Sequence, residues 1–421
     1  MSRRKTFVSL SSECNSAFML VLLISGIFTM TTLCVVVQGQ DTSTLVKNSL
    51  DMIPTFSNIK TLTFSGFGSG ASMAVQMQIA HSKKVAGVAA FSGLPYYCIK
   101  NNLTRLETCF KHTEQVTVNE IVDILQKLTY YNLIDDYAES IPSHRVYLQS
   151  GKQDKSLTQA AAVKSRELYE FLKVPKENIK TVLDIPSGHA MVSIDYIDAE
   201  KNKCGAEVQK PYIQNCGFDL VADALKFLLF QNDDQKFVNN KSANKNEDLL
   251  NNNLFKIDQT PFASQRHLMG DYGYLYIPSA CQKDETKCIH IHVAFHGCDQ
   301  LGEEFAIYSG YNRIAEQNNI IIMYPRSSIQ NRYNPYGCWD FFGTENGDDY
   351  RSELYLARLG PQMQTVARMV EQAGHNMDMK KLLERSSAEI LLMLGAVVII
   401  FVYQMYKLVI SPSPRQKKKA D

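Results

Sequence analysis

The sequence predicts an α/β fold, a sheet of short apolar strands flanked by helices, and three observations carry the prediction. Strand-like and helix-competent stretches alternate along most of the 421 residues, as they do where crossover helices join strands. The stretch 61–81, TLTFSGFGSGASMAVQMQIAH, reads as strand, glycine turn and helix, the layout of a nucleophile elbow. Beyond it, Asp154 and His189 each stand in a glycine turn just past a strand.

Length allows one large core or two modest ones. A content of 45% hydrophobic and 21% charged residues is ordinary for a globular protein. The net charge of +1 gives no electrostatic case for nucleic acid, and no basic patch interleaved with aromatics appears.

The two ends point to a membrane. Arg3, Arg4 and Lys5 precede an apolar run over 17–37, with Val37 and Gly39 at a small-residue cleavage site. This predicts a signal peptide over 1–39, and the length of the run makes an uncleaved signal anchor the alternative. Residues 390–410 are apolar except for Gln404 and Lys407, and Arg415, Lys417, Lys418 and Lys419 follow. A transmembrane helix over 388–410 and a basic cytoplasmic tail over 411–421 are therefore expected. A lipid-anchor signal would end in its apolar tail, whereas this chain ends in KKKAD. The expectation is a secretory-pathway, single-pass protein with an extracellular or lumenal body, or alternatively a secreted one.

Cysteine usage agrees. Cys14 and Cys34 fall in the leader, and eight others form neighbouring couples: Cys98 with Cys109, Cys204 with Cys216, Cys281 with Cys288, and by remainder Cys298 with Cys338. An even set in a secretory chain reads as disulfides, and spacing alone leaves the pairing open. Asn102 and Asn240 open glycosylation sequons.

Taken in order, Leu62 and Phe64 alternate with threonines as on a half-buried strand, and Gly66, Gly68 and Gly70 make the turn. In the G-x-S-x-G pattern Gly66 and Gly70 are the flanking glycines, so the nucleophile position is Gly68. Ser69 is one residue late, with Phe67 and Ala71 where its own flanking glycines belong. A short strand is expected over 85–91, a helix over 118–128 and a strand over 145–149 that runs into Asp154. A lone aspartate in a turn more often satisfies its own backbone. A helix over 160–172 and a strand over 181–185 lead to Pro186-Ser187-Gly188-His189. The order elbow, Asp154, His189 is the chain order of α/β-hydrolases, which sets this pair apart from a stray turn and a structural histidine.

A helix over 218–230 closes the first half, 40–230, and the Asn-, Asp- and Lys-rich stretch 231–258 is expected as a polar linker. The second half, 259–375, opens with strands over 272–278 and 289–295, the latter meeting His296-Gly297-Cys298-Asp299-Gln300. His290 and His292 share a face with His296 but lack a carboxylate or cysteine cluster, so a structural role is expected and no metal. A buried strand over 320–324, a loop holding Trp339, and a helix over 360–373 complete the body.

These stretches together resemble one family, the extracellular poly(3-hydroxybutyrate) depolymerases of single-domain esterase type. The matching segments are SGFGSGASMAVQ, GLPYYC, SGKQD, PSGH, PYIQNCGFD, GYLYIP, HVAFHGCDQL, YSGYNRIAEQNNIIIMYP, NPYGCWDFFG and GPQM, in consistent order over roughly 45–375. The resemblance implies a circularly permuted α/β-hydrolase with a Ser-His-Asp triad that cleaves ester bonds of a water-insoluble polyester, without a cofactor. Permutation fits the HGC loop, which resembles the oxyanion element yet follows the histidine. Asp154 and His189 match the acid and base; Cys298 matches one oxyanion-hole backbone donor, and Ser69 would supply the second N–H. Trp339, Phe341 and Phe342 resemble the lining of a substrate crevice. The family's nucleophile serine aligns on Gly68 without a gap. Two expectations follow: a carboxylic-ester hydrolase by lineage whose nucleophile is replaced, or an inactive relative that binds a hydrophobic ester, polymer or protein partner.

Overall fold

The structure is a computed structural model. It describes residues 46–387 apart from 47, 197, 199, 231–235, 242–251, 264–268, 301–302, 330–333 and 344–352, together with Ile399, Ile400 and Tyr403. The expected leader over 1–39 and tail over 411–421, and nearly all of the expected membrane helix over 388–410, lie outside the described residues. Among the described residues no helix is long and apolar enough to cross a membrane.

Eleven strands are described: β1 Asn48–Leu50, β2 Thr61–Phe67, β3 Gly87–Phe91, β4 Arg145–Gln149, β5 Ile179–Val182, β6 Met191–Val192, β7 Ile213–Gln214, β8 Leu254–Asp258, β9 Tyr272–Tyr276, β10 His290–Phe295 and β11 Ile320–Tyr324. Nine of them form one sheet in the order β1-β8-β9-β11-β10-β2-β3-β4-β5, and β6 pairs with β7 separately. β9 is antiparallel to both of its neighbours, and the other pairs are parallel.

The chain starts this sheet at its edge with β1, and the strand before the elbow, β2, sits near its middle. β2 lies beside β10, and Thr63 and His292 are hydrogen-bonded across the pair although 229 residues separate them. The two expected halves therefore share one sheet, with the strand that carries the HGC loop second in the chain.

Period-two alternation sorts the strand side chains onto two faces. Val88, Val146, Leu148, Ile291, Val293, Phe295, Ile321 and Met323 join one core, which includes residues of the helices Ser69–Ala80, Val118–Tyr130, Ala160–Phe171 and Pro361–Gln372. Phe91, Tyr147, Ala294, Ile322 and Tyr324 join the other, against Leu220–Leu229 and Tyr311–Asn318. Sheet with helices on both faces is the architecture expected.

Differences from expectation are local. Strand β8 falls inside the stretch 231–258 expected as linker, because Leu254 and Ile257 are buried while Asp258 faces out. β1 is a three-residue strand paired to β8 alone. Cys98–Cys109, Cys204–Cys216, Cys281–Cys288 and Cys298–Cys338 are disulfides. Asn102 and Asn240 are both exposed.

His292 is fully buried; Thr63 Oγ1 lies 2.7 Å from its Nδ1 and Ser65 Oγ 2.6 Å from its Nε2. Its imidazole ties β10 to β2.

Candidate active site

The elbow is built by close packing. A Cβ on Gly66 would overlap the carbonyl of Gly70, and one on Gly70 would overlap the carbonyls of Phe295 and His296. Only glycine lets the helix Ser69–Ala80 start this close to β2 and β10. Between these two, Gly68 takes φ 58° and ψ −120° and caps that helix. This left-handed tip costs a glycine little and any other residue on the order of 1–3 kcal/mol. The Gly68 N–H donates to Phe91 O at 3.0 Å, fixing the turn to the end of β3.

Asp154 follows β4 and His189 follows β5, and the fold brings them together. His189 Nδ1 lies 2.8 Å from Asp154 Oδ2. The other carboxylate oxygen, Oδ1, accepts the backbone N–H groups of Ser156 and Leu157, each at 2.8 Å. The Asp154 side chain is wholly buried, whereas that of His189 keeps 27% exposure. The carboxylate is thus held on three sides and aims the imidazole. A fixed Nδ1 partner selects the tautomer in which Nε2 carries the basic lone pair.

The histidine loop is held from below as well. Gly188 N–H donates to Gln214 Oε1 at 3.0 Å, and the Gln214 amide donates to the carbonyls of Lys203, Gly205 and Glu207. Phe67 packs against the imidazole with ring centroids 4.8 Å apart. A Cβ built on Gly68 would stand 3.6 Å from His189 Nε2 and 3.9 Å from Gly297 Cα, both ordinary contacts. Gly68, His189 and Asp154 therefore lie in line, with no side chain at the first of them.

A cleft of about 350 Å³ opens over this line. Ser69, Cys298 and Phe341 are among its lining residues, as the sequence suggests, and so are Leu94, Phe110, Tyr212 and Tyr336. Neither the Ser69 nor the Cys298 N–H has a hydrogen-bond partner among the described residues. The Cys298 peptide is anchored by its neighbours: His296 Nδ1–H donates to Gly297 O at 2.7 Å, and Asp299 N–H donates to Tyr336 O at 2.7 Å. His296 Nε2 accepts the Ser327 N–H at 3.1 Å. Burial lowers the pKa of His296 to about 4, so it stays a neutral brace.

One expected lining residue does not line the cleft. Trp339 is completely buried, with its ring centroid 4.9 Å from Phe295 and 5.4 Å from His296. Its bulk fills core, and only its loop neighbours Tyr336 and Phe341 reach the cleft. Phe342 is half-buried against Phe341 and is likewise absent from the lining. The Ser69 hydroxyl is engaged elsewhere: Ser69 Oγ accepts the Trp339 N–H at 3.2 Å. Phe67, Tyr212 and Tyr336 were not singled out from the sequence. Tyr212 and Tyr336 lie inside the segments PYIQNCGFD and NPYGCWDFFG, and Phe67 had a detectable position, one residue before the elbow tip.

A mixed α/β sheet with a strand–turn–helix elbow and a carboxylate-held histidine facing one cleft defines a site of the α/β-hydrolase class. No protein-family model matches the chain. It aligns with the poly(3-hydroxybutyrate) depolymerase of Delftia acidovorans at 31% identity over 318 residues, 74% of this chain and 59% of that relative's length. It aligns with the polyhydroxybutyrate depolymerase of Talaromyces funiculosus at 28% identity over 335 residues, 75% of this chain and 92% of the relative. Two solved structures superpose with a TM-score of 0.64 at 25% identity, covering 76% of this chain and 98% of theirs. One is the PHB depolymerase from Penicillium funiculosum; the other is a serine-to-alanine variant of a PHB depolymerase complexed with an R3HB trimer. The chain is a homologue of the poly(3-hydroxybutyrate) depolymerases.

Proposed function

We propose that this chain is an ester-binding relative of the poly(3-hydroxybutyrate) depolymerases in which Gly68 stands where the nucleophile serine belongs. It keeps the acid Asp154, the base His189 and the amide donors of Ser69 and Cys298, and it has lost the group that would form an acyl-enzyme. The observation that carries the reading is the 3.6 Å from a Cβ at Gly68 to His189 Nε2. That is where a serine's methylene would stand, and glycine offers no oxygen there. Phe110, Tyr212, Tyr336 and Phe341 give the cleft an apolar lining suited to a hydroxyalkanoate ester or oligomer.

The body is displayed outside the cytosol, carried by a leader over 1–39 and by a membrane helix over 388–410. Four disulfides and two exposed sequons support that side of the membrane. Protease treatment of intact cells should digest the body and spare the tail 411–421; digestion of the tail alone would reverse the orientation.

Titration calorimetry of the full-length protein with a 3-hydroxybutyrate trimer tests the ligand. Binding that weakens at least tenfold in Tyr336→Ala combined with Phe341→Ala is expected, since each ring contributes on the order of 1 kcal/mol or more by burial. A folded protein that does not take up the trimer would refute the reading.

A further inference from the structure

We infer that the chain hydrolyses small esters slowly by direct attack of water, with His189 as the general base. The inference deepens the function proposed above and rests on it. Its ground is the pairing of an intact, aimed base with a reacting position that has no side chain. Asp154 holds His189 Nδ1 at 2.8 Å, and Nε2 has no hydrogen-bond partner among the described residues. Among the described residues, apart from its chain neighbours, only His189 Nε2 and Gly297 Cα come within 4 Å of a Cβ placed on Gly68. A water molecule is smaller than the hydroxymethyl group of serine, so it fits beside Gly68 within hydrogen-bonding reach of Nε2. The cleft of about 350 Å³ above it admits an ester, and the 27% exposure of His189 leaves the site supplied from solvent.

The chemistry balances in one covalent stage fewer than the serine route. Nε2 takes a proton from the water as the water oxygen bonds to the ester carbonyl carbon. The carbonyl electrons move onto the oxygen, which the Ser69 and Cys298 N–H groups receive. Collapse of that intermediate breaks the acyl C–O bond, and His189 returns its proton to the leaving alkoxide. One ester and one water become one acid and one alcohol, with no acyl-enzyme. The Ser69 oxygen accepts the Trp339 backbone N–H at 3.2 Å, on the far loop of the cleft from the Asp154–His189 pair.

Magnitudes keep the activity low but measurable. Oxyanion stabilisation and binding alone leave about 10³–10⁴-fold over water in an enzyme stripped of its triad, and a positioned general base typically adds about 10²–10⁴-fold. The full-length protein should therefore hydrolyse nitrophenyl butyrate at least roughly 10³-fold faster than buffer. His189→Ala and, as a second variant, His189→Gln should each lower that rate about 10²-fold while still binding the trimer. Acid-quenched samples taken during turnover should carry no acyl adduct by mass spectrometry, and product should appear without a burst. Trimer binding without turnover above buffer, equal rates in wild type and both variants, or an acyl adduct on any serine would each overturn the inference alone. Absence of both binding and turnover would overturn it together with the reading on which it rests.

Discussion

Gly68→Ser is the perturbation with the largest consequence. The new Cβ would stand 3.6 Å from His189 Nε2, and a hydroxyl one bond further out has a rotamer within hydrogen-bonding distance of that nitrogen. Asp154 already orients the imidazole, so no other part of the triad needs rebuilding. Losing a triad serine costs on the order of 10⁶ in kcat, which is about 8 kcal/mol of barrier at 1.36 kcal/mol per decade. Restoring it should return a large part of that factor. The cost falls on stability: φ of 58° is strained for serine by on the order of 1–3 kcal/mol, so the variant should melt several degrees lower. Nitrophenyl butyrate hydrolysis by the full-length variant, alone and combined with His189→Ala, measures the effect. A folded Gly68→Ser protein no faster than wild type, or one whose gain survives His189→Ala, would refute the in-line arrangement of these three residues.

Two further outcomes follow from the same geometry. Replacing Cys298 and Cys338 by serine opens a 40-residue loop and should cost about 4 kcal/mol in a denaturant titration, with weaker trimer binding because that loop carries Tyr336. An unchanged midpoint would contradict a structural role for the bridge. Acid should destabilise the fold well above the carboxylate range. Burial lowers the pKa of His81 and His292 to about 3, and of His144, His290 and His296 to about 4, from an ordinary value of 6.5. Below about pH 6.5 the unfolded chain binds protons that the folded one refuses, so stability falls with pH down towards 4. Each such histidine adds up to about 1.4 kcal/mol per pH unit in that window. Equal urea midpoints at pH 7 and pH 5 would show that these rings are not buried neutral.

How far the sequence foretells this molecule depends on where each signal resides. The elbow was legible because its constraint is local: glycines at 66 and 70 are needed by carbonyls that the turn itself, or the neighbouring strand end, brings within contact. Asp154 and His189 were legible from their turns and their order, though only the fold brings side chains 35 residues apart to 2.8 Å. β1 and β8 were not, because a three-residue edge strand and a strand opening beside a polar stretch owe their pairing to each other and to β9. Trp339 misled for a related reason. A loop rich in aromatics suggests a crevice wall, but which ring turns inward is decided by Phe295 and His296 on a distant strand. Tyr212, half-buried at φ 57° beside the cleft, likewise owes its place to tertiary contacts.

The account is tested most directly by a fluorophosphonate that phosphonylates activated serines with loss of fluoride, read by intact-mass and peptide mass spectrometry. Wild-type protein should remain unmodified, and Gly68→Ser should gain one phosphonyl group on the introduced residue. An adduct on Ser69, Ser72 or Ser92 of the wild type would mean that the chain has a nucleophile after all.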